Sequence, residues 1–263
     1  MVIVCLLWRI QRFKKKPETD AVFENVWKMN ALADADTKIL RLSIDTKATV
    51  NIEEYTRHGR SRGFEAVKAS DHDMRMKGKP IPGGILEPVS GRAFLFFTES
   101  YKTGDFMVDG FLLWWNERKR ELSNVRTLVI NMDNGPECSG RRTRFLLRMT
   151  EFTDVTGLII RLVYYPPYHS WYNAVERYQA GLEKSWNGYP LDTVETVLNR
   201  AADFVWKGLN TTVHLLKTSY ERGVKIYGKD KAETEERLQR SELPPVYDIT
   251  INPKTVYQYI LSP

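Results

Sequence analysis

The segment that most restricts the fold is Thr127–Asn131, in which Leu128, Val129 and Ile130 are consecutive. So short an unbroken apolar run, bounded by polar residues, suits a strand covered on both faces. A second buried strand is predicted at Leu158–Tyr164, where Pro166-Pro167 ends it. Helical spacing alternates with these strands. Arg141–Val155 lies between them, and Asn173–Trp186 follows, with Val175, Tyr178, Leu182 and Trp186 on one side. Buried strands alternating with helices that cover them call for a layered α/β architecture.

Upstream, the pattern changes to period two. Leu40, Leu42, Ile44, Ala48, Val50 and Ile52 fall on one face, and Arg41, Ser43, Asp45, Lys47, Thr49 and Asn51 on the other. This predicts a long strand over Leu40–Ile52 that bends or runs into an arm. Two short strands, Gly84–Val89 and Arg92–Phe97, flank Ser90-Gly91 as a hairpin. Phe106, Met107, Gly110, Phe111, Trp114 and Trp115 recur at helical spacing, as do Val22, Val26 and Trp27 in Thr19–Met29. A further helix is predicted over Leu191–Trp206, then charged helix as far as Gln239 and an extended tail over 244–263. The tryptophans fall mostly at helical core spacing and are assigned to packing, not to base stacking. The order is three strands, helix, strand, helix, strand, helix. It predicts a mixed five-stranded sheet, three antiparallel strands and then two parallel additions, flanked by helices. This is the element order of the ribonuclease-H-like fold. The chain divides accordingly into a basic arm (1–30), the α/β unit (31–210) and a C-terminal helical extension and tail (211–263).

Composition excludes several classes. Of 263 residues, 42% are hydrophobic and 27% charged, enough for a core and incompatible with global disorder. A net charge of +6 fits a polyanionic partner without requiring one. Cys5 and Cys138 cannot build a disulfide framework or a four-cysteine zinc site, so a reducing compartment is expected. The apolar opening Met1–Trp8 stops at Arg9, too short to span a bilayer, so the chain reads as cytoplasmic with no membrane partner. Arg9, Arg12, Lys14, Lys15 and Lys16 crowd together as a basic arm, which reads either as a solvated tail or as a phosphate-contacting arm.

Three carboxylates occupy telling positions. Asp45 lies mid-strand on the polar face. Asp133 follows the fourth strand in Asn131-Met132-Asp133-Asn134-Gly135-Pro136. Glu176 lies in the first turn of the helix after the fifth strand. If the first and fourth strands are neighbours, Asp45 and Asp133 converge and Glu176 is laid across the same end. Phosphodiester chemistry has a use for such a set. Two Mg²⁺ ions activate the attacking oxygen and stabilise the leaving one, and Mg²⁺ takes hard oxygen ligands. Each acid also has a structural reading. Asp45 can be one solvated strand residue, Asp-Asn-Gly-Pro is a natural turn, and Asn173 with Glu176 resembles a capping box. Together, in this element order, they favour a metal site.

The strings Leu42–Val50 (LSIDTKATV), Ser70–Asp73 (SDHD), Val129–Glu137 (VINMDNGPE), Tyr164–Glu176 (YYPPYHSWYNAVE) and Trp206–Leu209 (WKGL) carry a resemblance. From about Pro17 to about Asn252 the chain resembles bacterial insertion-sequence transposases of the DDE type, on the mariner-related branch. The resemblance implies a ribonuclease-H-like catalytic domain that cuts double-stranded DNA at transposon ends and joins the freed 3′ hydroxyl to target DNA. It implies two Mg²⁺ ions, with Mn²⁺ substituting, and a homodimer on DNA in a bacterial, nucleoid-associated setting. Asp45, Asp133 and Glu176 match the catalytic, metal-holding triad, with 87 and 42 residues between successive members. Asn134 and Asn173 match the motif neighbours and are read as orienting the carboxylates or touching phosphate.

There are departures. Ala174 stands where similar proteins have proline, which is expected to loosen the Glu176 turn slightly. Cys138, in place of a small polar residue, is expected to be a buried structural thiol. Helix-turn-helix modules usually precede such a domain, whereas almost nothing precedes Pro17. The chain is therefore expected to be a truncated copy or an isolated catalytic domain. A non-catalytic, DNA-binding or regulatory remnant is the alternative, and a structure-selective nuclease on the same fold a third. Candidate DNA contacts are Arg57, Arg60 and Arg62 in a basic loop with His58, Arg141 and Arg142 on the helix after Asp133 together with Arg144 and Arg148, and His169. Asp71, His72 and Asp73 are read as structural or close to substrate.

Overall fold

The structure is a computed structural model that describes residues 17–52, 79–167, 169, 172–242 and 245–254. In chain order the elements are α1 (Pro17–Ala35), β1 (Ile39–Thr46), β2 (Ile81–Leu86), β3 (Ala93–Thr98), α2 (Gly104–Arg118), β4 (Thr127–Asp133), α3 (Thr143–Thr156), β5 (Ile159–Tyr165), α4 (Ala174–Ser185), α5 (Val194–Ala202), β6 (Val205–Trp206), β7 (Leu209–Asn210), β8 (Thr212–Leu215), α6 (Gly228–Glu236), β9 (Leu238–Arg240) and β10 (Asp248–Ile251).

One sheet runs β8-β3-β2-β1-β4-β5-β10-β9. Its middle is the expected arrangement. β1 pairs with β2 and β2 with β3 antiparallel, and β1 pairs with β4 and β4 with β5 parallel. That is the ribonuclease-H-like sheet, extended by a strand beside β3 and two beside β5.

Alternation along β1 decides what lies on each face. Leu42 and Ile44 enter the larger core, with Phe106, Phe111 and Trp114 of α2 and Phe145, Met149 and Phe152 of α3. Gly83 on β2 and Gly110 on α2 make room there for Phe96, since a Cβ at either would lie 2.4 or 2.3 Å from its ring. The opposite face is covered in two separate parts. Val175, Tyr178 and Leu182 of α4 and Val197 of α5 pack on Leu86, Leu95 and Phe97. Val22, Phe23, Val26 and Met29 of α1 pack on Val129, Val163 and Tyr165. The seam between these two clusters falls over β1 and β4, where the residues on this face are polar: Ser43, Asp45, Asn131 and Asp133.

Four expectations need correction. β1 ends at Thr46, and Val50 and Ile52 are buried with α4 and α5, on the face opposite Leu42 and Ile44. The Lys47 and Val50 amides still reach the carbonyls of Pro82 and Pro80. Proline has no N–H to return, so a reciprocal ladder stops there. The α1 segment, assigned by sequence to the arm, is core. The region after Ala202 is not continuous helix. Val205 to Asn210 forms a hairpin whose tip residues Lys207 and Gly208 have φ of 49° and 81°, as a type I′ turn requires. Finally, β10 lies where a tail was expected. Its alternation buries Ile249 and Ile251 beside β5. Among the described residues no helix is long and apolar enough to cross a membrane.

Candidate active site

The parallel register of β1 and β4 sets Ser43 beside Asn131. Two residues further along both strands stand Asp45 and Asp133, on the same face. Across the other edge of β1, Asp45 pairs with Gly84. A Cβ at Gly84 would lie 3.1 Å from Gln179 Nε2 and 3.3 Å from Val175 Cγ2. Glycine at this position therefore lets α4 lie close on the sheet beside Asp45.

The start of α4 is fastened to β1 by side chains. Asn173 is its N-cap but makes no side-chain cap bond, unlike the capping box expected from sequence. Its Nδ2 instead donates to Ile44 O at 2.9 Å, and its Oδ1 accepts from the Ser43 hydroxyl at 2.5 Å. Ser43 Oγ in turn accepts from the Val175 amide at 2.8 Å. A hydroxyl from the neighbouring strand thus satisfies an amide of the first helical turn that the cap residue would normally take. Gln179 Nε2 donates to Asp45 O at 3.4 Å, and Lys47 forms an ion pair with Glu183. These bonds hold the helix over β1, with Glu176 in its first turn. The helix begins at Ala174.

The acids act on one another. Burial, then the charge of Asp133 and less so that of Glu176, push Asp45 up to about 7, opposed by a hydrogen bond from the Thr46 backbone and by Lys102. Burial and Glu176 push Asp133 up to about 6. Asp133 Oδ1 is buried and has no hydrogen-bond partner among the described residues. Among the described residues no three acidic, histidine or cysteine side chains close into one ligand cluster. Asp45 and Asp133 are neighbours, and Glu176 stands within electrostatic reach of both. An unpartnered buried carboxylate oxygen beside a second, half-buried carboxylate is short of positive charge, and both offer hard oxygen donors. That fits a divalent cation of the magnesium type.

The loop after β4 is ordered around Asp133. Asn134 Oδ1 accepts the Gly140 amide at 3.2 Å, so this side chain shapes the loop. Burial pushes the Cys138 thiol up to about 12, and its Sγ donates to Asp133 O at 3.6 Å, a structural role as expected. Lys102, which the sequence did not single out, pairs with Glu137 at 3.2 Å while acting on Asp45.

The predicted DNA contacts divide. Arg57, Arg60 and Arg62, with Asp71, His72 and Asp73, lie outside the described residues. Arg141 and Arg142 are exposed before α3. Arg142 Nε donates to Pro136 O at 2.5 Å and borders a cleft shared with Lys102, Glu137 and Arg222. Arg144 and Arg148 are instead committed to ion pairs, both with Asp105 and Arg148 also with Asp109. His169 lies on the turn before α4, with Nδ1 bonded to Pro167 O at 2.8 Å and its ring edge-on to Phe23 of α1 at 5.1 Å. Sequence reasoning missed Ser43 and Gly84. Ser43 carried one usable signal, its place on the face of β1 that bears Asp45.

Residues 8–253 match a family described as the Rhodopirellula transposase DDE domain. Comparison with curated proteins finds no match. Similar solved structures include a Mos1 mariner paired-end complex with Mn, with TM-score 0.46 and 8% identity, covering 74% of this chain and 56% of that one. A Mos1 strand-transfer complex has TM-score 0.46 and 10% identity, with coverages of 75% and 56%. A Mos1 complex with the left transposon end has TM-score 0.35 and 8% identity, with coverages of 61% and 46%. The chain thus spans about half the length of the structures it matches.

Proposed function

The chain belongs to the Rhodopirellula transposase DDE-domain family, and from that premise we propose that it cuts DNA at transposon ends and joins the 3′ hydroxyl to target DNA, using Asp45, Asp133 and Glu176. The observation that carries this reading is the β1–β4 register. It sets two half-buried carboxylates side by side, with a third acid on a helix fastened above them.

Asp45 and Asp133 would hold divalent metal, with Glu176 completing the set from α4. Two Mg²⁺ ions, or Mn²⁺ in their place, supply activation of the attacking oxygen and stabilisation of the leaving oxygen when bound. The protein's own part is to keep these acids close despite their repulsion. Ser43 and Asn173 fix the turn that carries Glu176, and Gly84 lets that turn approach. Lys102 offsets part of the negative charge at Asp45. Asn134 shapes the loop that follows Asp133, and Arg141, Arg142 and His169 are assigned to the flanking DNA. The partners are double-stranded DNA at the ends and at the target, engaged by a homodimer in the bacterial nucleoid.

A strand-transfer assay with pre-cut ends and Mg²⁺ or Mn²⁺ tests this. Asp133→Asn is expected to lower joining by about a thousandfold or more. Full activity in that variant would remove the assignment. Hydrolysis without joining identifies a nuclease, and DNA binding without metal-dependent nicking identifies a regulatory remnant.

A further inference from the structure

Between α1 and α4 lies a groove of about 550 Å³. Its walls carry the aromatic rings of Trp27, Tyr165 and Tyr172 and the cations Arg177 and Lys207, with Arg41 paired to Asp34 at 2.6 Å, and among the described residues none that lines it is acidic. It lies next to the seam that holds the acids. Tyr165 is the cross-strand partner of Asp133, and Arg177 follows Glu176.

Two features mark the groove as more than a gap between helices. The first is its aromatic surface. Trp114 and Trp186 are buried, as helical core spacing predicts, but Trp27 is 61% exposed and Tyr172 42%. Phe23 joins these two rings into one platform, stacked on Trp27 at 5.7 Å and edge-on to Tyr172 at 5.0 Å. The platform is thus assembled in advance from α1 and from the turn before α4. The second is Lys207. It sits at the hairpin tip with φ of 49°, the positive-φ region that non-glycine residues rarely occupy, and its Nζ is held by Pro88 O at 3.1 Å. This turn sets a cation on the groove wall.

We propose that this groove holds an unpaired stretch of the DNA strand next to the scissile phosphate. Bases stack on Trp27 and Tyr172, and phosphates meet Arg177 and Lys207. Aromatic platforms with a cationic rim are the chemistry of single-stranded nucleic acid. The groove's volume of about 550 Å³ is within the range of about 300–1,000 Å³ typical of small-ligand sites and admits a nucleotide. The inference rests on the transposase reading and adds to it a locally unpaired substrate.

The test uses the full chain in EDTA and fluorescence anisotropy with labelled oligo(dT) of about a dozen nucleotides and a duplex of equal length. Trp27→Ala is expected to weaken oligo(dT) binding by about tenfold while duplex binding changes by less than about twofold, and Trp27→Phe to restore most of the loss. Arg177→Gln and Lys207→Gln should each lower the salt dependence of oligo(dT) binding by about one phosphate contact. Equal losses on both probes, or no loss on either, would overturn the groove assignment. So would self-association of the chain that Trp27→Ala abolishes, since the occupant would then be a second copy. Metal-dependent nicking by the wild-type chain is scored in parallel and reports on the catalytic reading alone. Nicking together with unaltered oligo(dT) binding in Trp27→Ala defeats the groove and leaves that reading standing.

Discussion

Asp45 is held where its charge is least favourable, and this has a measurable cost in the absence of metal. Its ordinary pKa of 3.8 is raised to about 7 by burial and by its acidic neighbours, so the fold prefers the protonated form. The stability this provides is complete below about pH 4 and is lost as pH rises through 7. Asp133, raised to about 6, loses its proton in the same window. In EDTA, Asp45→Asn should therefore melt close to wild type near pH 4 and progressively higher as pH rises, by up to about 2–4 kcal/mol above pH 8. Added Mn²⁺ should raise the melting temperature of the wild type above pH 7 and leave Asp45→Asn nearly unmoved. Thermal denaturation across pH, with and without Mn²⁺, checks both, and a pH-independent difference would remove the argument. The acids are legible in the sequence because each sits where a pattern fixes its place: the polar face of β1 one residue before its end, the end of β4, and the first turn of α4. Ser43 is not. A serine on the polar face of a strand looks the same whether it meets water or a helix, and its partner Asn173 is 130 residues away.

At the scale of elements, the bond between β1 and α4 is the feature on which the third acid depends. Ser43 is fully buried, and its hydroxyl serves both Asn173 Oδ1 and the Val175 amide. Ser43→Ala leaves both groups unpaired and buried, which should cost about 2–4 kcal/mol in unfolding free energy. Because the loosened turn carries Glu176, the same variant should also raise the Mn²⁺ concentration needed for half-maximal joining, and Ser43→Thr should recover part of both losses. A fall in stability with an unchanged metal requirement would mean that the clamp is structural only. The five central strands and the helices between them are legible because period two and period 3.6 are distinct and each element is long enough to express its period. Three features escape that logic. β1 stops at Thr46 because Pro80 and Pro82 cannot continue the ladder, although the alternation runs on. The four-residue strands β8 and β10 are too short to show a period. The hairpin tip at Lys207 and Gly208 looks like helix continuation until its positive φ values are known.

At the scale of the molecule, the C-terminal strands brace the loop that carries Asp133. Tyr164 of β5 donates its amide to Tyr247 O and its hydroxyl to Cys138 O, both at 2.8 Å, so one residue joins the turn before β10 to the loop after β4. Arg240 of β9 donates to Gly140 O at 2.8 Å. Asp248 of β10, buried, pairs with Arg161 of β5 at 2.7 Å and accepts from Asn25 of α1 at 3.0 Å, which ties the helix and the last strand to the same edge. Gly140 is where the brace is tightest. A Cβ there would lie 2.2 Å from Val246 O, a backbone atom that cannot rotate away. Gly140→Ala must therefore displace either the brace or the Asp133 loop. The expected cost is about 1–3 kcal/mol of stability. If the loop is the part that yields, Asp133 shifts relative to Asp45, and Mn²⁺ affinity by calorimetry should fall by about tenfold or more, although no acid has been altered. Arg240→Ala relaxes the brace from the other side and, combined with Gly140→Ala, should recover part of the metal affinity while lowering stability further. Unchanged Mn²⁺ binding in Gly140→Ala would show that the C-terminal strands complete the sheet without positioning the acid.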